Sequence, residues 1–211
     1  MEAARRAVEL VKDLRAHGIS MRQVNFGGGF GVQYRDYLRH PLLPSEPENP
    51  ESDISTEKLL HAVLPILREA ECTILIQPGR SILAHAGILL TKVLYRKQSQ
   101  GRIFIIVDAG MNDLIRPSLY QSYHQIVPLE VQESGLEVVD VVGPLCESGD
   151  YFALERNIPH VQRGDYLAVL CAGAYGYVLS SNYNGRPRPA EVMVDGEQTR
   201  VIRPRESINE V

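Results

Sequence analysis

One short segment, residues 143–150, combines residue types that could do chemistry. It consists of Gly-Pro-Leu-Cys-Glu-Ser-Gly-Asp and follows the apolar run Leu136 to Val142. A loop bounded by glycine and proline holds Cys146 beside Glu147, so a thiol that can donate a proton stands next to an anion. This arrangement is typical of part of an active site. On its own, a loop cysteine is more often a small packed residue, and that alternative stays open here.

Two other loops contain glycines at the ends of predicted strands. Gly27-Gly28-Gly29-Phe30-Gly31 follows Gln23 to Phe26, and Gln77-Pro78-Gly79-Arg80 follows Thr73 to Ile76. Glycines at such positions let backbone N–H groups converge on a phosphate, and the loops after the last strands of a TIM barrel commonly build such a site. The first loop has neither a Walker nor a dinucleotide-binding spacing. A glycine-rich turn without function is the alternative.

Three more side chains are candidates for ligand binding. Arg116 and Tyr120 stand four residues apart, so in a helix they share a face and could both reach a carboxylate. Tyr175 lies among small residues after a predicted strand and could offer its ring or hydroxyl to a flat ligand. The alternatives are an ordinary surface arginine beside an aromatic residue and, for Tyr175, core packing.

Composition excludes several classes of protein. The 211 residues have a net charge of −4, whereas nucleic-acid-binding proteins usually have a basic surface. No apolar stretch is long enough to span a membrane. The N-terminus does not resemble a signal peptide. The six histidines show no metal-ligand spacing, so we expect no metal. Three cysteines without disulfide-framework spacing favour reduced thiols and a cytoplasmic protein.

The chain changes character near residues 85 to 100. Before this boundary, helices and strands alternate as in a parallel α/β fold. The order is a helix over residues 3–17, a strand, a glycine loop, a second helix to about Glu71 and a second strand. Ser55 is predicted to cap the second helix, and Pro65 to kink or shorten it. After the boundary, β-rich runs predict a sandwich or barrel: 87–97, 102–108, 125–131, 136–142, 166–171, 191–194 and 198–202. We therefore predict two domains, residues 1–90 and 91–211.

Taken together, the motifs resemble those of the diaminopimelate decarboxylases, pyridoxal-phosphate enzymes of the alanine-racemase fold class. Six segments occur in the family's order and spacing and cover nearly the whole chain: VNFGGGFG, QPGRSILAHAG, VDAGMNDLIRPSLY, GPLCESGD, AGAYGYVLSSNYN and RPRPAEVMVDG. The resemblance implies the last βα units of a cofactor-binding TIM-type barrel followed by a C-terminal β domain. It also implies decarboxylation of meso-2,6-diaminopimelate to L-lysine, the last step of lysine synthesis.

The resemblance assigns roles to individual residues. The backbone of the Gly27, Gly28 and Gly29 loop, helped by the segment Gln77, Pro78, Gly79 and Arg80, would bind the phosphate of pyridoxal 5'-phosphate. Cys146 would protonate the substrate carbon after carbon dioxide leaves. At the far end of the substrate, the carboxylate would be bound by Arg80, Arg116 and Tyr120. The amino group at the same end would be bound by Glu147. Tyr175 would contact both the cofactor and the substrate.

The chain departs from the family pattern in two respects. None of its four lysines, Lys12, Lys58, Lys92 and Lys97, stands in the family's motif for the lysine that holds the cofactor as a Schiff base. Gln77 replaces the family's glutamate, which pairs with the pyridine nitrogen of the cofactor. We therefore expect a truncated or split form that corresponds to the later half of the enzyme and is inactive by itself.

The family resemblance also implies a partner and leaves alternatives open. The family forms head-to-tail homodimers, in which Cys146 and Glu147 would reach into the partner's site. One alternative is a non-catalytic remnant that binds pyridoxal phosphate or another subunit. Another is an ornithine, arginine or carboxynorspermidine decarboxylase, although ornithine-type relatives have aspartate after the cysteine and Glu147 with Arg116 favours diaminopimelate.

Overall fold

The computed structural model describes residues 1–35, 37–44, 56–130 and 135–210. The chain divides into two compact units, of which the first contains the described residues in 1–33 and 56–84 and the second those in 34–44 and 85–210. The predicted domain division at residue 90 stays a prediction. The prediction that Ser55 caps the second helix concerns a residue outside the described ranges. Among those residues, each helix is too short or too polar to span a bilayer.

The first unit alternates helices with two short parallel strands. Its elements are α1 (Glu2–Ala16), β1 (Gln23–Asn25), α2 (Thr56–Arg68), β2 (Thr73–Leu75) and α3 (Gly79–Leu83). Strand β1 pairs with β2 in parallel, with Gln23 opposite Thr73 and Asn25 opposite Leu75. Helices between parallel strands are the unit from which α/β barrels are built, so the predicted α/β alternation is confirmed.

The apolar periodicity of α1 explains how the helix packs. Ala4, Val8 and Val11 recur at helical spacing and are all buried. Ala4 packs against Val63 and Leu67 of α2. The helix ends before Gly18, whose φ of +82° glycine adopts without strain. Helix α2 continues through Pro65 but ends at Arg68, three residues earlier than predicted.

The second unit is built on a six-stranded, nearly closed, barrel-like sheet. The strand order is β5-β8-β3-β4-β6-β7, and the two edge strands β5 and β7 lie against each other. All neighbours pair antiparallel except β4 with β6, which are parallel. The strands are β3 (Leu89–Ser99), β4 (Arg102–Val107), β5 (Ile126–Pro128), β6 (Leu136–Val142), β7 (Tyr151–Pro159) and β8 (Tyr166–Val169).

The inside of this sheet holds the main hydrophobic core. Its centre consists of fully buried side chains from five of the six strands, and burial of such side chains is the main favourable contribution to folding. These include Val93, Ile105, Val107, Val139, Val141, Phe152, Ile158, Leu167 and Val169. The predicted fold class, the end of an α/β barrel followed by a β barrel domain, is confirmed.

Helix α4 and a hairpin complete the second unit. Helix α4 (Arg116–Tyr120) lies between β4 and β5. Strands β9 (Glu191–Asp195) and β10 (Gln198–Arg203) form the predicted hairpin around Gly196, which has a φ of +59°. The hairpin forms its own two-stranded sheet.

Strand β7 is the one strand of the sheet that the sequence did not predict. An irregularity in its pairing explains why, since Arg156 lies opposite Val139 but Ala153 lies opposite Val141. The one extra residue at this point forms a β-bulge, and the buried Asp140 accepts a hydrogen bond from the backbone N–H of Glu155 there at 2.8 Å. Glu155 has a φ of +49°. The bulge breaks the alternation of apolar and polar residues on which strand prediction depends.

Candidate functional site

The first group of candidate residues lies after β1 and β2 in the first unit. Because these strands are parallel neighbours, the loops that follow them meet at one edge of the pair. The N–H of Gln77 donates to the carbonyl of Gly27 at 2.8 Å, and the N–H of Gly27 donates to Oδ1 of Asn25 at 2.8 Å. The structure therefore brings the Gly27–Gly29 loop and the Gln77–Arg80 segment together.

The glycine loop presents backbone donors that have no acceptor among the described residues. Gly28 and Gly29 are exposed, and among the described residues no acceptor takes a hydrogen bond from either N–H. The φ angles of Gly27 and Gly29, +81° and +80°, are ones that only glycine adopts readily, and they turn successive peptide groups. Convergent free amides of this kind bind anions, so the loop fits a phosphate group.

Arg80 places a cation beside the same loop. Its Nη2 atom donates to the carbonyl of Phe30 at 3.4 Å, and the side chain is half-buried. The remaining guanidinium donors have no described acceptor, so they can take part in binding an anion. Pro78 is half-buried, whereas Gln77 and Gly79 are exposed. The roles predicted for these residues stay predictions.

We expect Gly28→Ala to destabilise the first unit. A Cβ atom at Gly28 would lie 2.5 Å from the carbonyl oxygen of Gln77, which belongs to the backbone and cannot rotate away. Overpacking of this kind costs about 1–3 kcal/mol, measured by urea unfolding. Gly79→Ala is the matched control, because a Cβ there would meet no atom within 4 Å. Equal stability of the two variants would show that the loop is not closely packed on Gln77.

The second group of candidates lies on the loop between β6 and β7. Two backbone hydrogen bonds close this loop: Gly143 N–H to the Asp150 carbonyl at 2.9 Å and Asp150 N–H to the Glu147 carbonyl at 3.0 Å. Cys146 and Glu147 are both exposed at its tip. The other two cysteines differ, since Cys72 is half-buried and burial raises the pKa of the Cys171 thiol to about 11. Cys146 is therefore the accessible thiol.

Glu147 is held as a carboxylate. Its pKa lies below the usual range because the backbone N–H of Gly149 and then the hydroxyl of Ser148 donate to it. The hydroxyl of Tyr183 adds a third donor at 3.4 Å. A carboxylate that is exposed and ionised at neutral pH can accept hydrogen bonds from an ammonium group.

Asp150, which the sequence analysis did not single out, organises this loop. Its buried carboxylate accepts the backbone N–H groups of Leu145 at 2.7 Å and Met111 at 2.6 Å. Its pKa is nevertheless raised, because the effect of burial exceeds that of these two donors. Met111 precedes α4, and the hydroxyl of Ser118 on α4 donates to the carbonyl of Gly149. Asp150 thus joins the Cys146–Glu147 loop to the segment that holds Arg116.

A cavity of about 420 Å³ opens beside this loop. Glu147 and Asp150 line it together with Arg102, which forms an ion pair with the buried Asp140 at 2.6 Å. An exposed carboxylate and a partly exposed guanidinium therefore both line the cavity.

Arg116 is buried, and some of the N–H donors of its guanidinium have no acceptor among the described residues. Its Nη1 atom donates to the hydroxyl of Tyr34 at 2.8 Å and to Nε2 of His124 at 3.1 Å, and the guanidinium lies 5.0 Å from the centre of the Tyr34 ring. No carboxylate among the described residues forms an ion pair with it. Its Nε and Nη2 atoms have no described acceptor and are not fully enclosed. A buried cation with free donors is an anion-binding group.

His124 is neutral in the folded chain. It is fully buried, and burial lowers its pKa to about 4, an effect to which the charges of Arg116 and Arg156 add. The six histidines show no metal-ligand spacing in the sequence, and no role was predicted for His124. Its position only eight residues after Arg116 is the signal in the sequence that could have placed His124 near that side chain.

We expect His124 to make the stability of the chain depend on pH. The unfolded chain takes up a proton there near pH 6.5, whereas the folded chain does so only near pH 4, so stability is lost as the pH falls through this window. The loss amounts to about 3 kcal/mol, measured by urea unfolding at a series of pH values. His124→Gln should remove this share of the pH dependence. His61→Gln should not, because that side chain is 79% exposed.

Two predicted tyrosines are exposed. Tyr120 is 62% exposed although Arg116, four residues before it, is buried, so the two side chains have different surroundings within this unit. Tyr175 is 46% exposed and has a φ of +62°, while Ala174 and Gly176 on either side are buried. Tyr175 is therefore not a core residue. Whether either tyrosine touches a ligand stays a prediction.

Comparison with known proteins agrees with this geometry. Residues 13–173 match the family described as pyridoxal-dependent decarboxylase, C-terminal sheet domain. Diaminopimelate decarboxylase from Aquifex aeolicus is 44% identical over 98% of this chain and 46% of its own length. The crystal structure of the Helicobacter pylori diaminopimelate decarboxylase with L-lysine matches 99% of this chain and 48% of its own length, with a TM-score of 0.81 and 38% identity.

A second solved structure extends the comparison. The diaminopimelate decarboxylase from M. jannaschii, also in complex with L-lysine, gives a TM-score of 0.86 at 34% identity and covers 99% of this chain and 46% of its own. The chain thus spans about half the length of the relatives it matches. Because the family match covers most of the chain and both units have the corresponding fold, the chain belongs to the pyridoxal-dependent decarboxylases and contains their C-terminal sheet domain.

Proposed function

We propose that this chain forms the substrate-recognition part of a decarboxylase that converts meso-2,6-diaminopimelate to L-lysine and carbon dioxide. The observation that carries the proposal is the buried guanidinium of Arg116, whose Nε and Nη2 donors have no described acceptor. A carboxylate binds such a pair of donors in a bidentate manner. Support comes from the relatives named diaminopimelate decarboxylase and from their structures with L-lysine.

The charges of the second unit favour a substrate with two charged groups at its far end. Arg116 would bind the far carboxylate, and the ionised Glu147 would bind the far amino group. Ornithine has no second carboxylate, so it would leave the buried cation without a counter-ion. Burying an unpaired charge is unfavourable, and this disfavours ornithine as the substrate.

The family implies pyridoxal phosphate as cofactor, and the residues present fit its phosphate group. The free amides of Gly28 and Gly29 would hold the phosphate, Arg80 would add a positive charge, and Gln77 would donate a hydrogen bond toward the ring nitrogen. When bound, the cofactor supplies an electron sink for the electrons left by the departing carbon dioxide. Cys146, with its accessible thiol, would hold the proton that is delivered to the substrate carbon. Tyr175 and Tyr120 would contact the ligands.

The proposal includes a homodimer with shared active sites and a cytoplasmic location. The exposure of Cys146 and Glu147 at the tip of a projecting loop supports a site that this loop completes on a partner subunit. The three cysteines, which lack the spacing of a disulfide framework, support a reducing compartment.

A second candidate is a non-catalytic protein that binds pyridoxal phosphate or another subunit. The observation in its favour is that none of Lys12, Lys58, Lys92 and Lys97 stands in the family's motif for the cofactor lysine. Binding of the cofactor without release of carbon dioxide under any condition would support this candidate.

An assay of carbon dioxide release tests both candidates. The chain would be incubated with pyridoxal phosphate alone and with the separately produced first half of the Aquifex aeolicus relative. We expect no activity from the chain alone and lysine formation from meso-2,6-diaminopimelate in the mixture. Ornithine, arginine and carboxynorspermidine serve as competing substrates, and preference for one of them would overturn the proposed substrate.

Cys146→Ala is the matched variant for this assay. It should abolish lysine formation in the mixture and leave cofactor absorbance unchanged, because it removes the proton donor and no cofactor ligand. Cys72→Ala is the control, since Cys72 is a half-buried thiol of the first unit whose Sγ accepts a hydrogen bond from Nη2 of Arg15 at 3.2 Å. Equal activities of the two variants would contradict the role of Cys146.

A further inference from the structure

Some N–H groups of the Arg116 guanidinium are hydrogen-bonded within the described residues, and the others are not. It has five N–H groups, of which the two on Nη1 are engaged by the Tyr34 hydroxyl and by Nε2 of His124. The three on Nε and Nη2 remain. The N–H of Nε and one N–H of Nη2 point in parallel along one edge of the planar group, and that edge has the geometry that matches the two oxygens of a carboxylate.

The contacts of His124 determine its tautomer. Nδ1 lies 2.8 Å from the carbonyl oxygen of Leu170, which can only accept, so Nδ1 carries the proton and donates. The ring is neutral, as the depressed pKa requires, and Nε2 is therefore an acceptor. Arg116 can only donate, so the 3.1 Å contact between Nη1 and Nε2 is a matched hydrogen bond.

Neighbouring backbone hydrogen bonds and the ring of Tyr34 hold the imidazole ring of His124 in place. The N–H of Leu170 donates to the carbonyl of Gln125 at 2.8 Å, which ties the segment before β5 to the end of β8. Nη1 of Arg156 donates to the backbone carbonyl of His124 at 3.0 Å. Tyr34 packs edge-on against the ring with centroids 5.2 Å apart. A ring held in this way can orient another group.

We infer that His124 is a positioning residue that selects the substrate's far carboxylate. By accepting from Nη1, it fixes the rotation of the guanidinium and directs the Nε–Nη2 edge toward the ligand. This inference rests on the proposed function, in which Arg116 binds that carboxylate. His124 itself touches no substrate, and it acts through Arg116.

Nitrogen NMR of the histidine rings tests the inference on the 211-residue chain. At neutral pH, His124 should show a protonated Nδ1 and an unprotonated Nε2. L-Lysine, which keeps the far carboxylate, should shift the Nε2 signal, and 1,5-diaminopentane, which has no carboxylate, should not. A protonated Nε2, or equal shifts with both amines, would overturn the role of His124.

Two substitutions separate the contacts of the ring. In His124→Gln the side-chain oxygen can take the place of Nε2 and accept from Arg116, whereas in His124→Asn the amide can replace only Nδ1 and its contact with Leu170. We expect lysine affinity to stay within about 3-fold in His124→Gln and to fall about 10-fold or more in His124→Asn, the value of one hydrogen bond to a charged group. Equal losses would indicate a purely structural role.

The same measurements separate failure of this inference from failure of the proposed function. Binding of L-lysine without any response at His124, or with equal affinity in both variants, would overturn the inference and keep the proposed function. If neither amine binds, the proposed function loses its support. The tautomer seen by NMR still shows whether Nε2 of His124 accepts a hydrogen bond from Arg116. His61→Asn, at an exposed position, controls for general effects of substituting histidine.

Discussion

Replacing Arg116 with glutamine is expected to weaken the binding of L-lysine by about 100-fold. The guanidinium is buried and offers two charge-assisted donors on its free edge, and each such hydrogen bond contributes about 1.5–3 kcal/mol. Glutamine is neutral and has only one amide group. Calorimetric titration of L-lysine into the 211-residue chain and the variant measures the change.

Two further variants make this result specific. Arg116→Lys keeps the charge but loses the planar fork, so it should recover only part of the affinity. Arg203→Gln should leave affinity unchanged, because that exposed guanidinium already pairs with Glu191 at 2.7 Å. Since Arg116→Gln also removes the partner of His124 and Tyr34, a loss of about 1–3 kcal/mol of stability should accompany it, measured by urea unfolding. Unchanged lysine affinity in folded Arg116→Gln would remove the main support for the proposed substrate.

The second large effect concerns stability. Phe152→Ala is expected to reduce the free energy of unfolding by about 3–5 kcal/mol, as for other fully buried aromatic residues. Phe152 is 2% exposed and packs in the core of the six-stranded sheet. The truncation removes apolar contacts and leaves a cavity that the surrounding strands cannot fill. Urea unfolding followed by circular dichroism measures the change.

Leu154→Ala on the same strand is the control. Leu154 is 49% exposed, so its truncation should cost less than about 1 kcal/mol. Comparable destabilisation by the two substitutions would contradict the burial pattern of β7, in which Phe152 is buried and Leu154 is exposed.

Local patterns predicted much of the first unit. Ala4, Val8 and Val11 define the buried face of α1 because residues separated by one helical turn lie on the same side. The positions of β1, β2 and the glycine loop also follow from local composition. The contact of Gly28 with Gln77 was not predicted from the sequence, although it agrees with a parallel pair of strands, which brings the following loops to one edge.

Local patterns failed at β7. Its sequence contains Glu155, Arg156 and Asn157 in the middle of the strand, which obscures the apolar positions on either side. The strand forms because a bulge accommodates the extra residue and the buried Asp140 accepts the N–H of Glu155. Asp140 lies 15 residues away on another strand, so no window centred on β7 contains the cause.

The candidate site divides in the same way. Residue types and motif order by themselves indicated the family, the Cys146–Glu147 pair as candidate site residues and Arg116 as a candidate carboxylate receptor. Only the tertiary structure decided that Arg116 is buried, that Tyr34, 82 residues away, occupies part of its guanidinium, and that His124 orients the rest. It also decided that Asp150 joins the two loops. The physical reason is that chemistry belongs to residue types, whereas burial and hydrogen-bond geometry arise from contacts between segments far apart in the chain.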